Sequence, residues 1–201
     1  MKIGWKVYKL KRKTNTLLET PSQTAGPFVH IGCTPNLIGI DDVFKNDFGV
    51  QPFKNVPKNK LINISGTVFD GSDVPVYDAM IETWQCNSEG LFGKDEGFGR
   101  FITDLETGKF NFNTVKPGFT KYENGKSQSP HILFWIVARG INQPLVTRMY
   151  FDENETKKDY LFKKINNKER QKTLLAKKID ENNYLFNIHL QGEEETVFFD
   201  F

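Results

Sequence analysis

Residues 61–70 read LINISGTVFD, and their polarity changes at almost every position: Ile62, Ile64 and Val68 fall on one side of an extended chain, Asn63, Ser65 and Thr67 on the other. Successive side chains of a strand point to opposite faces, so this period of two describes a strand with one buried and one wet face. Residues 109–115 (KFNFNTV) repeat the pattern, with Phe110 and Phe112 alternating with Asn111 and Asn113. Residues 79–86 (AMIETWQC) and 183–190 (NYLFNIHL) read as strands with weaker alternation, and 146–151 (VTRMYF) and 196–201 (TVFFDF) as two more. Residues 131–139 (HILFWIVAR) are apolar on both parities, as in a central strand covered on both faces. Turn-forming clusters separate these seven segments: FDGSD at 69–73, ETGK at 106–109, KPGF at 116–119 and ENGK at 123–126. Short strands with frequent turns predict an all-β fold, an antiparallel β-sandwich.

Two stretches depart from the strand period. Residues 152–178 are rich in helix formers and lysine, with Leu161, Phe162, Ile165, Leu174 and Leu175 as their main apolar residues, and one or two short, charged surface helices are expected there. The first 60 residues lack good periodicity. Within them, residues 1–16 carry six basic and no acidic residues, a composition that favours a disordered N-terminal extension. Residues 17–59 read as an ordered arm or loop and residues 60–201 as the sandwich core, together a single domain over 17–201. No apolar run reaches the ~18 residues of a membrane span, and the basic start lacks the apolar stretch of a secretory leader. Two cysteines, Cys33 and Cys86, make no disulfide framework in 201 residues, so a cytoplasmic setting is expected. A balance of 27 basic against 25 acidic residues argues against a general nucleic-acid binder.

Chemistry-bearing residues are sparse. The three histidines, His30, His131 and His189, fall on separate elements. A two-histidine site on one strand needs positions i and i+2, and Leu133 stands where the partner of His131 would be. Cys33 and Cys86 have no CxxC spacing and read as packing residues. There is no phosphate-binding glycine loop, GxSxG elbow or HExxH motif. Phenylalanine outnumbers tyrosine 18 to 6, and phenylalanine packs but cannot ligate, donate or titrate. By composition alone the chain is a sandwich with no chemistry of its own.

Longer motifs add to this. ETPSQTAGPFVHIG (19–32), ISGTVFDGSDVPVYDAMIETWQCNSEG (64–90), FNTVKPG (112–118), PHILFWIVARGI (130–141), TRMYFDE (147–153) and QGEEETVFFDF (191–201) together resemble the intradiol ring-cleavage dioxygenases. PSQTAGP and the terminal GEEETVFFDF narrow the resemblance to the alpha subunits of heteromeric members, and it spans residues 17–201. That family holds a non-haem ferric ion with two tyrosines and two histidines, whose hard phenolate oxygens stabilise Fe(III). At the matching positions this chain has Phe92, Phe119, His131 and Leu133, so three of four donors are gone. The resemblance therefore implies a metal-free remnant here, with Fe(III) bound by a catalytic beta subunit as the partner. It further implies that the complex cleaves protocatechuate between its hydroxyls with O2, giving 3-carboxy-cis,cis-muconate in aromatic catabolism by the beta-ketoadipate pathway, and that this chain alone is inactive.

The resemblance also gives this chain a share of the pocket on beta, through Thr24, Gly26 and Pro27 of the arm and through Arg139 in VARG. Glycine permits close backbone approach, proline stiffens a loop, and an arginine is a permanent countercharge for an anionic aromatic acid. His131 and Arg139 stand eight residues apart on one parity, about 26 Å at ~3.3 Å per residue of continuous strand, so Arg139 is expected to serve something other than the remnant. The rival reading is a stand-alone transthyretin-like sandwich that binds or scaffolds without catalysis.

Overall fold

The computed structural model describes residues 24–200 apart from Asp95 and Glu123. The extension expected over 1–16, the first residues of the arm and Phe201 lie outside the described residues.

The described part of the arm, read from sequence as an ordered arm or loop, contains a helix, α1 (Pro27–Cys33). Pro27 sits in its first turn, where a missing N–H costs nothing, and only His30 of the seven residues is buried. Then come β1 (Ile62–Phe69), β2 (Met80–Trp84), β3 (Phe98–Ile102), β4 (Lys109–Thr114), a small hairpin of β5 (Thr120–Lys121) and β6 (Ser127–Gln128), β7 (His131–Val137) and β8 (Leu145–Tyr150). The charged stretch forms α2 (Glu153–Thr156), a 3-10 turn and α3 (Lys168–Lys172), each α-helix capped by a side chain, Asp152 or Asn167, that accepts from backbone N–H groups. The chain closes with β9 (Lys177–Lys178), β10 (Asn183–Leu185) and β11 (Ile188–His189).

Two main sheets pack face to face. One runs β3-β2-β7-β8, antiparallel throughout. The other is built on β1, which pairs antiparallel with β4 on one side and parallel with β10 and β11 on the other. The all-β fold is as expected, and the parallel pairings follow from the long crossover through α2 and α3 that returns the chain beside β1. Ile62, Ile64 and Val68 point inward with Phe110 and Phe112, and they meet Ile81, Ile132, Phe134 and Ile136 of the facing sheet. Phe134 lies centrally, 6.1 Å from Phe110, 6.2 Å from Phe112 and 5.3 Å from Phe186 between ring centroids. Much of the phenylalanine excess is thus core.

Two strand expectations need correction. Residues 98–102 form β3 although FGRFI has neither a clean apolar period nor a β-branched run. Residues 196–200 form no strand. Thr196 donates its N–H to the carbonyl of His189 and Phe199 donates to that of Val146, so the segment divides its bonds between the two sheets and builds a ladder with neither.

Candidate functional site

Residues 24–27 meet the end of β7 through one hydroxyl. Thr24 donates its Oγ1–H to the carbonyl of Ala138 (3.2 Å) and accepts the N–H of Gly140 (2.6 Å). Those residues flank Arg139, so the arm grips the backbone on both sides of it. A cleft of about 390 Å³ opens here, lined among others by Gly26, Pro27, His30, Asp78 and Arg139. A second hollow of about 680 Å³ shares Asp78, Leu105 and Arg139 with it. Arg139 thus stands between two concavities, its side chain 76 % exposed, with Nε 3.3 Å from Asp78 Oδ2.

The structure brings Gly26, Pro27 and Arg139 onto one cleft and makes Thr24 the clamp that joins them. Gly26 is extended, and a Cβ there would meet nothing within 4 Å, so nothing among the described residues requires its lack of a side chain. His30 and Asp78 were not foreseen at this site. Burial lowers the His30 pKa against the opposing pull of Asp78, and its Nε2 has no hydrogen-bond partner among the described residues. Asp78 falls within the 64–90 motif, but only the fold brings it beside Arg139.

The positions that match the family's iron ligands lie elsewhere. Gln85 amide Nε2 donates to Val115 O (2.9 Å) and its Oε1 accepts from Thr114 Oγ1 (2.7 Å), which ties the KPG segment to the end of β2. Gly90 has φ +81°, and a Cβ on it would fall 1.9 Å from the carbonyl oxygen of Phe119, so only glycine lets the loops bearing Phe92 and Phe119 close on each other. Phe92 stacks on Trp84 with centroids 6.2 Å apart, and Trp84 pairs across the sheet with Leu133. Both phenylalanines are half exposed. His131, at the start of β7, is buried, with Nδ1 2.7 Å from Ser129 O.

This set does not fit a ferric ion. Two phenyl rings and an isobutyl group offer no donor atom, and the one remaining imidazole stands near the buried guanidinium of Arg148, which pairs with Leu133 across β7 and β8. Among the described residues no group of three or more His, Cys, Asp or Glu could hold a metal ion. No helix among them is long and apolar enough to cross a membrane.

Burial, reinforced by the Arg148 charge, lowers the His131 pKa from 6.5 to about 3, against the Ser129 carbonyl that favours the protonated ring. The unfolded chain therefore takes up a proton between those values and the native chain does not, so stability is lost as pH falls through that window. From about pH 7 to pH 5 the loss from this group is about 2 kcal/mol. Urea unfolding at both pH values should show a smaller drop for His131→Gln than for the native chain; equal drops would mean that the ring is not buried neutral.

The family described as Dioxygenase matches residues 44–192. The chain is 36 % identical over 197 residues to the protocatechuate 3,4-dioxygenase alpha chain of Pseudomonas putida, covering 92 % of this chain and 98 % of that one. It is also 32 % identical over 109 residues to the beta chain of the Burkholderia cepacia enzyme, covering 47 % and 46 %. In fold it is similar to catechol 1,2-dioxygenase from Pseudomonas arvilla C-1, with a TM-score of 0.56 at 16 % identity over 71 % of this chain and 55 % of that one. Identity that low speaks to the fold alone. Near-complete coverage at both ends, arm motif included, carries the assignment: the chain belongs to the dioxygenase family, alongside the alpha chains of protocatechuate 3,4-dioxygenase.

Proposed function

We propose that this chain is the non-iron-binding alpha subunit of a heteromeric protocatechuate 3,4-dioxygenase, and that it completes a substrate pocket whose Fe(III) is held by the beta subunit. The observation that carries this reading is the division of the molecule into two unlike sites. Where the family coordinates iron, Phe92, Phe119 and Leu133 supply no donor, whereas residues 25–27 and Arg139 line one cleft beside the clamp made by Thr24. In the complex, iron would activate the catecholate on beta; this chain's residues position and enclose the substrate. Pro27 and α1 form a stiff wall, Gly26 leaves backbone accessible, and Arg139 offers a planar cation to the carboxylate of the dihydroxybenzoate. The exposed aromatic residues Phe48, Trp84 and Phe92, joined into one row through Phe98, agree with a chain that is covered in use, since contiguous apolar patches on a free subunit favour association. Nothing in the chain favours the stand-alone binding module.

Produced alone, the chain should be colourless and bind little iron, because a phenolate-to-iron charge-transfer band needs a tyrosine ligand. Coproduced with its beta partner, it should copurify as a complex that is coloured, contains iron and opens protocatechuate. Stoichiometric ferric iron with visible absorption in the isolated chain would sink this assignment.

A further inference from the structure

The geometry points to Asp78 as the positioning residue for Arg139, the carboxylate whose ion pair holds the Nε side of the guanidinium so that its terminal fork meets a planar carboxylate. This rests on the pocket role proposed for Arg139. The β2–β7 ladder ends at Met80 and Val137, and beyond it the turns that carry Asp78 and Arg139 approach each other, with Arg139 Nε 3.3 Å from Asp78 Oδ2. Asp78 has a firm base. Its neighbour Ala79 is fully buried, donates its N–H to Thr103 Oγ1 (3.0 Å) and accepts the N–H of Thr103 (2.9 Å). Arg139 is held equally firmly in the backbone, because Thr24 bonds the residues before and after it.

What that backbone leaves loose is a long, 76 %-exposed side chain, and Asp78 takes it at Nε, 3.3 Å away. Engagement at Nε leaves the edge formed by the two terminal nitrogens for a ligand, which suits the two-oxygen geometry of a carboxylate. Two effects oppose each other. Asp78 removes rotamer freedom that binding would otherwise have to remove, and its charge repels an approaching carboxylate. The guanidinium stands between the two carboxylates, so the repulsion acts across it at a longer distance than either ion pair, whereas the rotamer freedom is already removed before the ligand arrives. Positioning therefore outweighs repulsion, and Asp78 favours carboxylated over plain catechols.

The test is steady-state kinetics of the assembled alpha–beta complex with protocatechuate and with catechol. Asp78→Asn should lower the ratio of their kcat/KM values by about twofold to tenfold, chiefly through KM for protocatechuate. Added to Arg139→Ala, it should lower the ratio no further, and Asp78→Glu should recover part of the loss. A rise in the ratio would identify Asp78 as a competitor for the arginine and overturn the proposal. So would an unchanged ratio, or an equal extra loss in the Arg139→Ala background. If Asp78→Asn does not assemble, Asp78→Glu carries the same comparison, since one more methylene displaces the guanidinium. A native ratio from Arg139→Ala alone is a different failure: it removes the pocket role of the arginine itself.

Discussion

Replacing Arg139 by alanine in the assembled complex is expected to lower kcat/KM for protocatechuate by about tenfold to hundredfold, with iron content and assembly unchanged. The size of the effect depends on the partner. In this chain the arginine is largely exposed, and an exposed ion pair contributes only about 0–1 kcal/mol. Covered by beta and facing a carboxylate, as the proposed pocket role requires, the same group would make charge-assisted bonds of about 1.5–3 kcal/mol, which sets the range above. Arg139→Lys should recover only part, since lysine keeps the charge and loses the planar fork. Kinetics and iron analysis on both variants decide the matter; native kinetics from the alanine variant would make this chain an architectural partner with no pocket chemistry.

Gly66→Ala should be the more damaging change to the fold, lowering stability by more than about 3 kcal/mol. Gly66 lies within β1, and a Cβ on it would fall 1.9 Å from the carbonyl oxygen of Phe186 and 2.6 Å from the ring of Phe110. Neither neighbour can retreat. Both phenylalanines are 1 % exposed, and the N–H of Phe186 is tied to Ser65 O at 2.8 Å. A methyl group there pushes β1 away from the strands on its parallel side. Thermal unfolding of the complex and the soluble yield of the chain report the effect, and a native melting temperature would show that the sheets can separate locally at little cost. Gly26 is the contrast within the same molecule, since a Cβ there meets nothing within 4 Å among the described residues.

Strands with strong alternation were readable because one face is wet. Asn63, Asn111 and Asn113 join in a hydrogen-bonded polar row outside while isoleucine and phenylalanine fill the inside, and that contrast is what a period of two records. β3 hid because its inward positions are Gly99 and Phe101 and its outward ones Phe98 and Arg100, with aromatic and non-aromatic residues on both parities. Residues 196–200 misled in the opposite sense: their aromatic, β-branched composition suits a strand, but their partners lie on two sheets. α1 was missed because proline, valine and glycine are poor helix formers, and the helix exists as a short turn that seats His30. The arm and Arg139 entered through family resemblance. The nearness of Asp78 to Arg139 is a contact between two turns, which no local pattern encodes.

β1 is flanked on one side by β4 and on the other by β10 and β11, and Thr67 takes an acceptor from Asn187, 120 residues further along the chain. During synthesis β1 therefore leaves the ribosome long before half of its neighbours exist. At about 5–20 residues per second the interval is about 6 to 24 s, during which one edge of the nascent sheet stays bare. Truncated translation products ending before residue 183 would carry that edge permanently, with the aggregation hazard of any unpaired strand.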